Sequence, residues 1–237
     1  REERGRGVGM GRAKGAPRGK KVTSVRIGTD VFEVGNTVSL RPPGPEGDTS
    51  PFVAKIYEMG EDPSEGVQCR VSWFYRPEEA HGGRKAFHGE KELFTSNHYD
   101  WVAATSINGS CKVHTLKAYQ ALGQVKESDY FVRFSYKADT GEFKPDRVPV
   151  YCMCEMPYNP DLFMVECEGC DEWYHPECLQ LTKAEVERMN HFVCPDCTQK
   201  HLKESRTNST GNKGNKQAPG SGGGPAAAAG NKKPRLG

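Results

Sequence analysis

Seven cysteines and one histidine in the C-terminal part of the 237-residue chain have the spacing of metal ligands. They form four close pairs, and one or two residues separate the members of each pair. In chain order they are Cys152, Cys154, Cys167, Cys170, His175, Cys178, Cys194 and Cys197. Because zinc takes four nitrogen or sulfur ligands in a tetrahedron, eight ligands predict two closed, structural zinc sites without an open position for catalysis.

A disulfide framework is the alternative for such a segment. It leaves His175 without a role, and the basic start of the chain lacks the apolar run of a secretory signal, so the spacing favours zinc. Spacing alone leaves open whether the pairs share the metals in tandem or alternately. Cys69 and Cys111 lie apart on strand-like segments, where each is expected to be a small buried hydrophobic residue.

Short strands are the main elements predicted upstream of the cysteines. They are runs of β-branched and aromatic residues between Gly, Pro and Asp clusters, at 31–34, 37–41, 52–59, 67–76 and Asp129–Tyr136. Asn108-Gly109 predicts a hairpin turn, and Thr115 predicts the N-cap of a helix over 116–122. Thr182-x-x-Glu185 is a capping box that predicts a second short helix. The pattern indicates a mostly-β fold, a barrel or sandwich with long loops.

Charge divides the chain into an acidic body and two basic tails. Residues 1–21 carry +6 and residues 199–237 carry +7, which leaves −11 on 22–198 within a total of +2. Both tails, 1–21 and 200–237, are poor in apolar residues and are predicted to be disordered. The basic cluster at 232–235 is either a nuclear import signal or an ordinary solvated cluster.

An acidic body excludes some partners and favours others. Duplex DNA is held by Lys and Arg side chains against phosphates, so any DNA contact is expected to be weak and to use the tails. The body suits a cationic partner such as a basic peptide. No run of about 18 apolar residues occurs in the sequence, which argues against a membrane-spanning helix.

The ligand order resembles that of a PHD finger: four cysteines, one histidine and three cysteines, with Trp173 two residues before His175. The resemblance implies cross-braced sites, in which Cys152, Cys154, His175 and Cys178 hold one zinc ion and Cys167, Cys170, Cys194 and Cys197 hold the other. A RING finger is the near relative. It usually places its histidine one ligand earlier and lacks the tryptophan.

PHD fingers that bind trimethyl-lysine surround the quaternary ammonium with aromatic faces, because this group cannot donate hydrogen bonds and is attracted to the rings. The resemblance implies that Tyr151, Tyr158, Met164 and Trp173 form such a cage. It also implies that Glu168 holds an arginine of the tail and that the ligand is the N-terminus of histone H3 trimethylated at lysine 4. The alternative for Trp173 is a core position in a finger too small for an ordinary core.

A second motif lies upstream. Trp73-Phe74-Tyr75-Arg76-Pro77-Glu78-Glu79, followed by Gly82-Gly83-Arg84 and Phe87-His88, resembles a BAH domain. With the segment 150–160, the tandem order is similar to the plant BAH–PHD chromatin readers of the Early Bolting in Short Days and Short Life family, over about residues 25–198. The resemblance implies a β-barrel-like BAH domain over 22–147 and a PHD-type finger over 148–199.

Trp73 and Tyr75 share one strand face, about 6.5–7 Å apart, since successive side chains of a strand alternate between faces. Periodicity alone favours a buried aromatic pair. The resemblance implies instead that Phe52, Trp73 and Tyr75 form a cage for histone H3 trimethylated at lysine 27, with Phe52 where the relatives usually have Tyr. His98 and Asp100 are expected in a loop that contacts the peptide; an ordinary solvated loop is the alternative.

These interpretations combine into a nuclear reader of methylated histone H3 tails that regulates transcription within chromatin complexes. An enzyme is not expected, because the histidines other than His175 lack a matching Ser or Cys partner. The alternatives are a zinc-finger ubiquitin ligase and a chromatin scaffold whose aromatic residues are structural.

Overall fold

The computed structural model describes residues 19–42 and 50–209, which form two compact units that meet between Val148 and Pro149. Residues 1–18, 43–49 and 210–237 lie outside the described residues, and with them most of both predicted tails and the basic cluster at 232–235. Within the described part of the chain, no helix has the length and apolar character needed to cross a membrane.

The N-terminal unit is built almost entirely from strands. They are β1 Lys21–Val22, β2 Ser24–Ile27, β3 Asp30–Glu33, β4 Thr37–Leu40, β5 Phe52–Asp62, β6 Gly66–Tyr75, β7 Glu92–Ala103, β8 Ile107–Ser110, β9 Lys112–Thr115, β10 Asp129–Tyr136 and β11 Phe143–Lys144. Among the described residues, nine of these strands form one sheet with the main order β11-β10-β7-β6-β5-β4-β8, while β1 pairs with β5 and β9 with β10. The strands β2 and β3 form a separate hairpin.

The long antiparallel strands β5, β6 and β7 form the centre of the sheet. Their register pairs Ala54 with Trp73 and Val71 with Asp100. Side chains that alternate inward pack into a core that includes Leu40, Ile56, Val71 and Trp73. Burying apolar surface of this kind contributes about 25 cal/mol per Å² to folding, so the core fixes which face of each strand is inside.

The short helix α1 spans Leu116–Gln120, and Thr115 Oγ1 accepts a hydrogen bond from the Ala118 N–H, as predicted. The hairpin turn predicted at Asn108-Gly109 is wrong. Both residues lie inside β8, where Gly109 pairs with Ser39 of β4. The physical reason is tertiary pairing: β4, some 70 residues upstream, supplies the backbone partners that the local turn signal could not reveal.

The C-terminal unit contains small hairpins and short helices. Its elements are β12 Val150–Tyr151, β13 Met156–Pro157, β14 Val165–Glu166, β15 Trp173–Tyr174, α2 Lys183–Arg188 and α3 Pro195–Ser209. The predicted capping box is present: Thr182 Oγ1 accepts from the Glu185 N–H at 3.2 Å, and Glu185 Oε2 accepts from the Thr182 N–H at 2.7 Å.

The helix α3 differs from the sequence expectation at its C-terminal end. The tail was expected to begin at Lys200, whereas α3 continues to Ser209. Pro195 occupies the first helical position, which suits its fixed φ angle. Leu202, Lys203 and Glu204 have high helix propensity, so the local sequence continues a helix that the finger has begun.

Candidate functional site

Two groups of four potential metal ligands occur among the described residues. The first contains Cys152, Cys154, His175 and Cys178, and the second contains Cys167, Cys170, Cys194 and Cys197. In each group the ligand atoms all lie within 4.8 Å of one another. The first and third pairs therefore share one centre and the second and fourth share the other. This arrangement is cross-braced, and it excludes tandem pairing.

The distances within each group suit zinc. A tetrahedral ion with bonds of about 2.3 Å to sulfur and about 2.0–2.1 Å to nitrogen separates two sulfurs by about 3.8 Å, and a sulfur from a nitrogen by about 3.6 Å. Cys170 Sγ lies 3.8 Å from Cys194 Sγ, and His175 Nδ1 lies 3.4 Å from Cys154 Sγ. The other ring nitrogen of His175 is buried and has no hydrogen-bond partner, so Nδ1 is the atom directed at the ligand group.

The thiol pKa values indicate why a cation belongs in these groups. Although burial opposes ionisation, hydrogen bonds from Tyr174 and from the Cys197 backbone lower the pKa of Cys194 to about 7. Its partner responds in the opposite direction, because the hydrogen bond with Cys194, followed by burial, raises the pKa of Cys197 to about 12. Crowded thiols cannot all ionise without a positive charge among them. The two tetrads hold two structural zinc ions, which supply that charge and the cross-links of this small unit.

The first tetrad also ties together the hairpins that carry two predicted cage residues. Tyr151 on β12 precedes the ligand Cys152, and Trp173 on β15 lies two residues before the ligand His175. A hydrogen bond also joins the hairpins: Glu172 Oε1 accepts from the Cys152 N–H at 3.2 Å. The sequence did not reveal this contact. Both aromatic side chains are half-buried. The metal ligands therefore link the two strands that carry these residues.

The remaining residues assigned to this cage differ in accessibility. Tyr158 is half-buried, as Tyr151 and Trp173 are. Met164 has 0% exposure, so it presents no surface to solvent and does not form the accessible cage wall that the resemblance implies. The Glu168 carboxylate lies 2.9 Å from His191 Nδ1. His191 was not selected from the sequence, because it lies 23 residues away and no spacing pattern connects it with Glu168.

The N-terminal unit brings together all five residues assigned to its cage. The rings of Phe52 and Trp73 have centroids 5.9 Å apart in an edge-on arrangement. Trp73 Nε1 donates to Asp100 Oδ2 at 2.8 Å, and His98 Nε2 lies 3.0 Å from the same oxygen. His98 Nδ1 lies 2.8 Å from the Tyr75 hydroxyl. The five side chains therefore form one connected cluster across β5, β6 and β7.

Two features of this cluster differ from the sequence expectation. His98 and Asp100 lie on the strand β7 and not in a loop, because β6 supplies backbone partners on one side of it. Trp73 is only 6% exposed and belongs to the core, while Phe52 and Tyr75 are partly buried against it. Burial is the main cause that raises the pKa of Tyr75, so its hydroxyl remains protonated and available as a donor. Tyr136 was not selected from the sequence, but its ring packs against Tyr75 with the two centroids 5.3 Å apart.

Comparisons with known proteins match both units to families. The BAH domain family matches residues 30–147, and the PHD-finger family matches residues 152–197. The chromatin remodeling protein EBS of Arabidopsis thaliana is 49% identical over 168 residues, which cover 71% of this chain and 71% of that protein. The chromatin remodeling protein SHL of the same plant is 44% identical over 182 residues, covering 76% of this chain and 79% of that protein.

The chain belongs to the BAH–PHD family of plant chromatin proteins. Its N-terminal unit is the BAH domain, and its C-terminal unit is the PHD finger. Among solved structures, the BAH domain of yeast Rsc2 is similar, with 21% sequence identity and a TM-score of 0.43, covering 54% of this chain and 55% of that chain. The family matches, and not this superposition, carry the assignment.

Proposed function

We propose that this protein reads methylated histone H3 tails in the nucleus, with the BAH domain binding trimethylated lysine 27 and the PHD finger binding trimethylated lysine 4. In this proposal it regulates transcription as a binding subunit of chromatin complexes and catalyses no reaction. Each zinc ion has a complete set of four protein ligands, which leaves no open position for substrate activation.

The connected cluster in the BAH domain is the observation that carries the proposal. Phe52, Trp73 and Tyr75 converge on one face of the sheet, and His98 and Asp100 join the last two through hydrogen bonds. An aromatic face attracts a quaternary ammonium by about 0.5–2 kcal/mol. Phe52 contributes such a face without a hydroxyl, so it adds attraction but no hydrogen bond to the peptide.

The PHD finger supports the second half of the proposal. The first zinc tetrad ties together the hairpins that carry Tyr151 and Trp173, and we assign these rings, with that of Tyr158, to the lysine-4 site. Glu168 is assigned to an arginine of the tail, which would compete with its present partner His191. The acidic body of −11 over residues 22–198 attracts a basic histone tail electrostatically.

Calorimetric titration of the full chain tests both assignments. The peptides are histone H3 tails that are unmodified, trimethylated at lysine 4, trimethylated at lysine 27, or trimethylated at both. We expect micromolar binding of each mark, a free energy of about −8 kcal/mol, and much weaker binding of unmodified tails. Trp73→Ala should abolish only the lysine-27 titration, and Trp173→Ala only the lysine-4 titration.

Trp101 supplies a matched control, since the chain has three tryptophans and this one lies on β7 outside both assigned sites. Trp101→Ala should leave both titrations intact. Circular dichroism and a zinc content of two ions per chain must first establish that each variant is folded. If Trp73→Ala and Trp173→Ala bind both marks as the wild type does, these tryptophans are structural and both cage assignments are wrong. If the wild type binds no trimethylated peptide more tightly than the unmodified tail, the protein is a scaffold.

A further inference from the structure

We propose that Asp100 is a positioning residue that fixes two walls of the BAH cage through one carboxylate oxygen. This inference rests on the proposed lysine-27 site. It assigns to Asp100 a role different from the peptide contact expected from the sequence. A chain of hydrogen bonds runs from Trp73 through Asp100 and His98 to Tyr75.

The chemistry of the donors fixes the direction of each bond. An indole N–H can only donate, so Asp100 Oδ2 accepts from Trp73 Nε1 at 2.8 Å. A carboxylate can only accept, so His98 donates to the same oxygen from Nε2 at 3.0 Å. In the tautomer that carries its proton on Nε2, His98 presents Nδ1 as an acceptor, and the Tyr75 hydroxyl donates to it at 2.8 Å. Each of these three bonds then joins one donor to one acceptor.

The sheet register explains how these side chains reach one another. The pairing of β6 with β7 is irregular at the cage, because Ser72 pairs with Tyr99 but Phe74 pairs with Thr95. The extra residues of β7 therefore bulge opposite Trp73, and Ser96 Oγ donates to the Trp73 carbonyl at 2.7 Å. Asp100 lies beyond the bulge and pairs with Val71, so strand alternation places it on the same face as Trp73 and Tyr75, while His98 belongs to the bulge itself.

The burial and the bonds of Asp100 suit a positioning role. The Asp100 side chain is 11% exposed, and its Oδ2 already accepts two hydrogen bonds. The rings of a cage attract an ammonium well only when they are held at the correct spacing and angle before the ligand arrives. Asp100 Oδ2 bonds Trp73 directly and is linked to Tyr75 through His98. This one oxygen therefore holds two rings of the cage in place before the ligand binds.

The test compares two substitutions of the same residue in the full chain. Asp100→Ala removes the acceptor and should weaken binding of the lysine-27-trimethylated peptide about tenfold or more, without changing the lysine-4 titration. Asp100→Asn removes the charge but keeps an oxygen that can accept both bonds, so it should restore most of the affinity. If Asp100→Asn loses as much affinity as Asp100→Ala, the carboxylate charge acts on the ligand directly and the positioning role is overturned.

A measurement on the free protein keeps this inference distinct from the proposed function. In a ¹H–¹⁵N spectrum, the indole N–H of Trp73 should exchange slowly with water in the wild type and in Asp100→Asn, and faster in Asp100→Ala. The indoles of Trp101 and Trp173 serve as internal controls. Unchanged exchange for Trp73 in Asp100→Ala would overturn the positioning role. Absence of lysine-27 binding by the wild type would instead defeat the proposed site.

If Asp100→Ala does not fold, a double-mutant cycle can test the bond between His98 and Tyr75, at the other end of the hydrogen-bond chain from Trp73. His98→Ala and Tyr75→Phe each break the bond between His98 Nδ1 and the Tyr75 hydroxyl, and Tyr75→Phe keeps the ring. If this bond positions the ring, the two losses of lysine-27 affinity are similar and the double variant loses no more than either single one. Fully additive losses of affinity would show that the two residues act independently, and this would overturn the positioning role of the hydrogen-bond chain.

Discussion

The two candidate sites of this molecule hold their aromatic side chains by different means. In the BAH domain the residues assigned to the proposed cage lie on strands of 10 to 12 residues, β5, β6 and β7. Hydrogen bonds join those on β6 and β7, and Phe52 on β5 packs edge-on against Trp73. In the PHD finger the described strands have two residues each, and metal ligands adjoin the aromatic residues. The aromatic residues assigned to recognition are thus held by sheet register and core packing in one domain and by coordination in the other.

Removal of zinc should produce the largest difference between the two domains in folding and in peptide binding. Binding of a structural zinc ion contributes about 10–16 kcal/mol, which exceeds what so small a core supplies, so a chelator should unfold the finger and abolish lysine-4 binding. The BAH domain should keep its fold, because none of its described residues belongs to a tetrad. Resonances of the two domains in ¹H–¹⁵N spectra, followed through metal removal and re-addition, measure this.

Cys111 provides the control for that experiment. It is a buried thiol of the BAH domain, outside both tetrads, and burial raises its pKa to about 12, so it stays a neutral thiol. Cys111→Ser should leave two zinc ions bound, whereas Cys154→Ser should release metal from the first site. A finger that keeps its resonances after both ions are removed would contradict the dependence on coordination.

A core substitution should produce the opposite pattern. Phe94 is fully buried, with its ring centroid 5.9 Å from that of Phe134 and 5.2 Å from that of Phe143. Phe94→Ala should lower the free energy of unfolding of the BAH domain by about 3–5 kcal/mol, since it removes apolar contacts and leaves a cavity. Urea unfolding of this variant measures the loss, and its zinc content should remain that of the wild type.

Tyr57 is the matched control for Phe94, because it is an aromatic residue of the same domain that is 50% exposed. Tyr57→Ala should change the unfolding free energy by only about 0.5 kcal/mol. Equal losses for the two variants would mean that packing around Phe94 does not hold the domain together.

The same contrast explains what the sequence could predict. The zinc ligands, the helix caps at Thr115 and Thr182 and several central strands follow from local spacing and periodicity, and the structure confirms them. The whole of strand β7 was missed, because Asn97, His98 and Asp100 interrupt its apolar character. Their environment is set by β6, which is distant in sequence, so only the tertiary register reveals that these polar residues form a strand.

The contacts among the site residues were the least predictable part. Resemblance selected Trp73, Tyr75, His98 and Asp100, but nothing in their spacing indicated that one carboxylate oxygen joins two of them. The bond between Glu168 and His191 was missed for a similar reason, because loops and not a periodic element bring the two residues together.

Acid should weaken the BAH domain through His88. Burial, followed by repulsion from Arg133, Arg84 and Lys85, lowers the pKa of His88 from 6.5 to about 4. Its Nδ1 accepts a hydrogen bond from the Lys85 N–H at 3.0 Å, which protonation of that nitrogen would remove. The unfolded chain therefore binds a proton in this pH range that the folded domain does not, and stability falls as pH drops from about 6.5 towards 4.

Urea unfolding at pH 7 and pH 5 measures this effect in the wild type and in His88→Asn. The asparagine oxygen can accept from the Lys85 N–H without titrating, so the variant should lose less stability on acidification. Carboxylates titrate in both proteins, and their contribution cancels in the difference. An equal loss in both would show that His88 is not an acid-sensitive group of this domain.

The helix caps give the smallest effect and the closest comparison, since both domains use a threonine at the same position. Thr115 caps α1 in the BAH domain, and Thr182 caps α2 in the finger. Either threonine changed to alanine should cost about 1 kcal/mol. In the BAH domain this should appear in the urea midpoint, because the helix packs on the cooperative sheet through the buried Tyr119, whose ring centroid is 4.8 Å from that of Phe131.

In the finger the same loss should remain local. The zinc ions hold the chain on both sides of α2, at Cys178 and Cys194, so Thr182→Ala should open the helix without unfolding the finger. Faster hydrogen exchange at the Glu185 amide, with unchanged zinc content and lysine-4 affinity, is the expected result. A variant that also releases zinc would mean that helix and metal sites unfold together, and that coordination alone does not hold the finger.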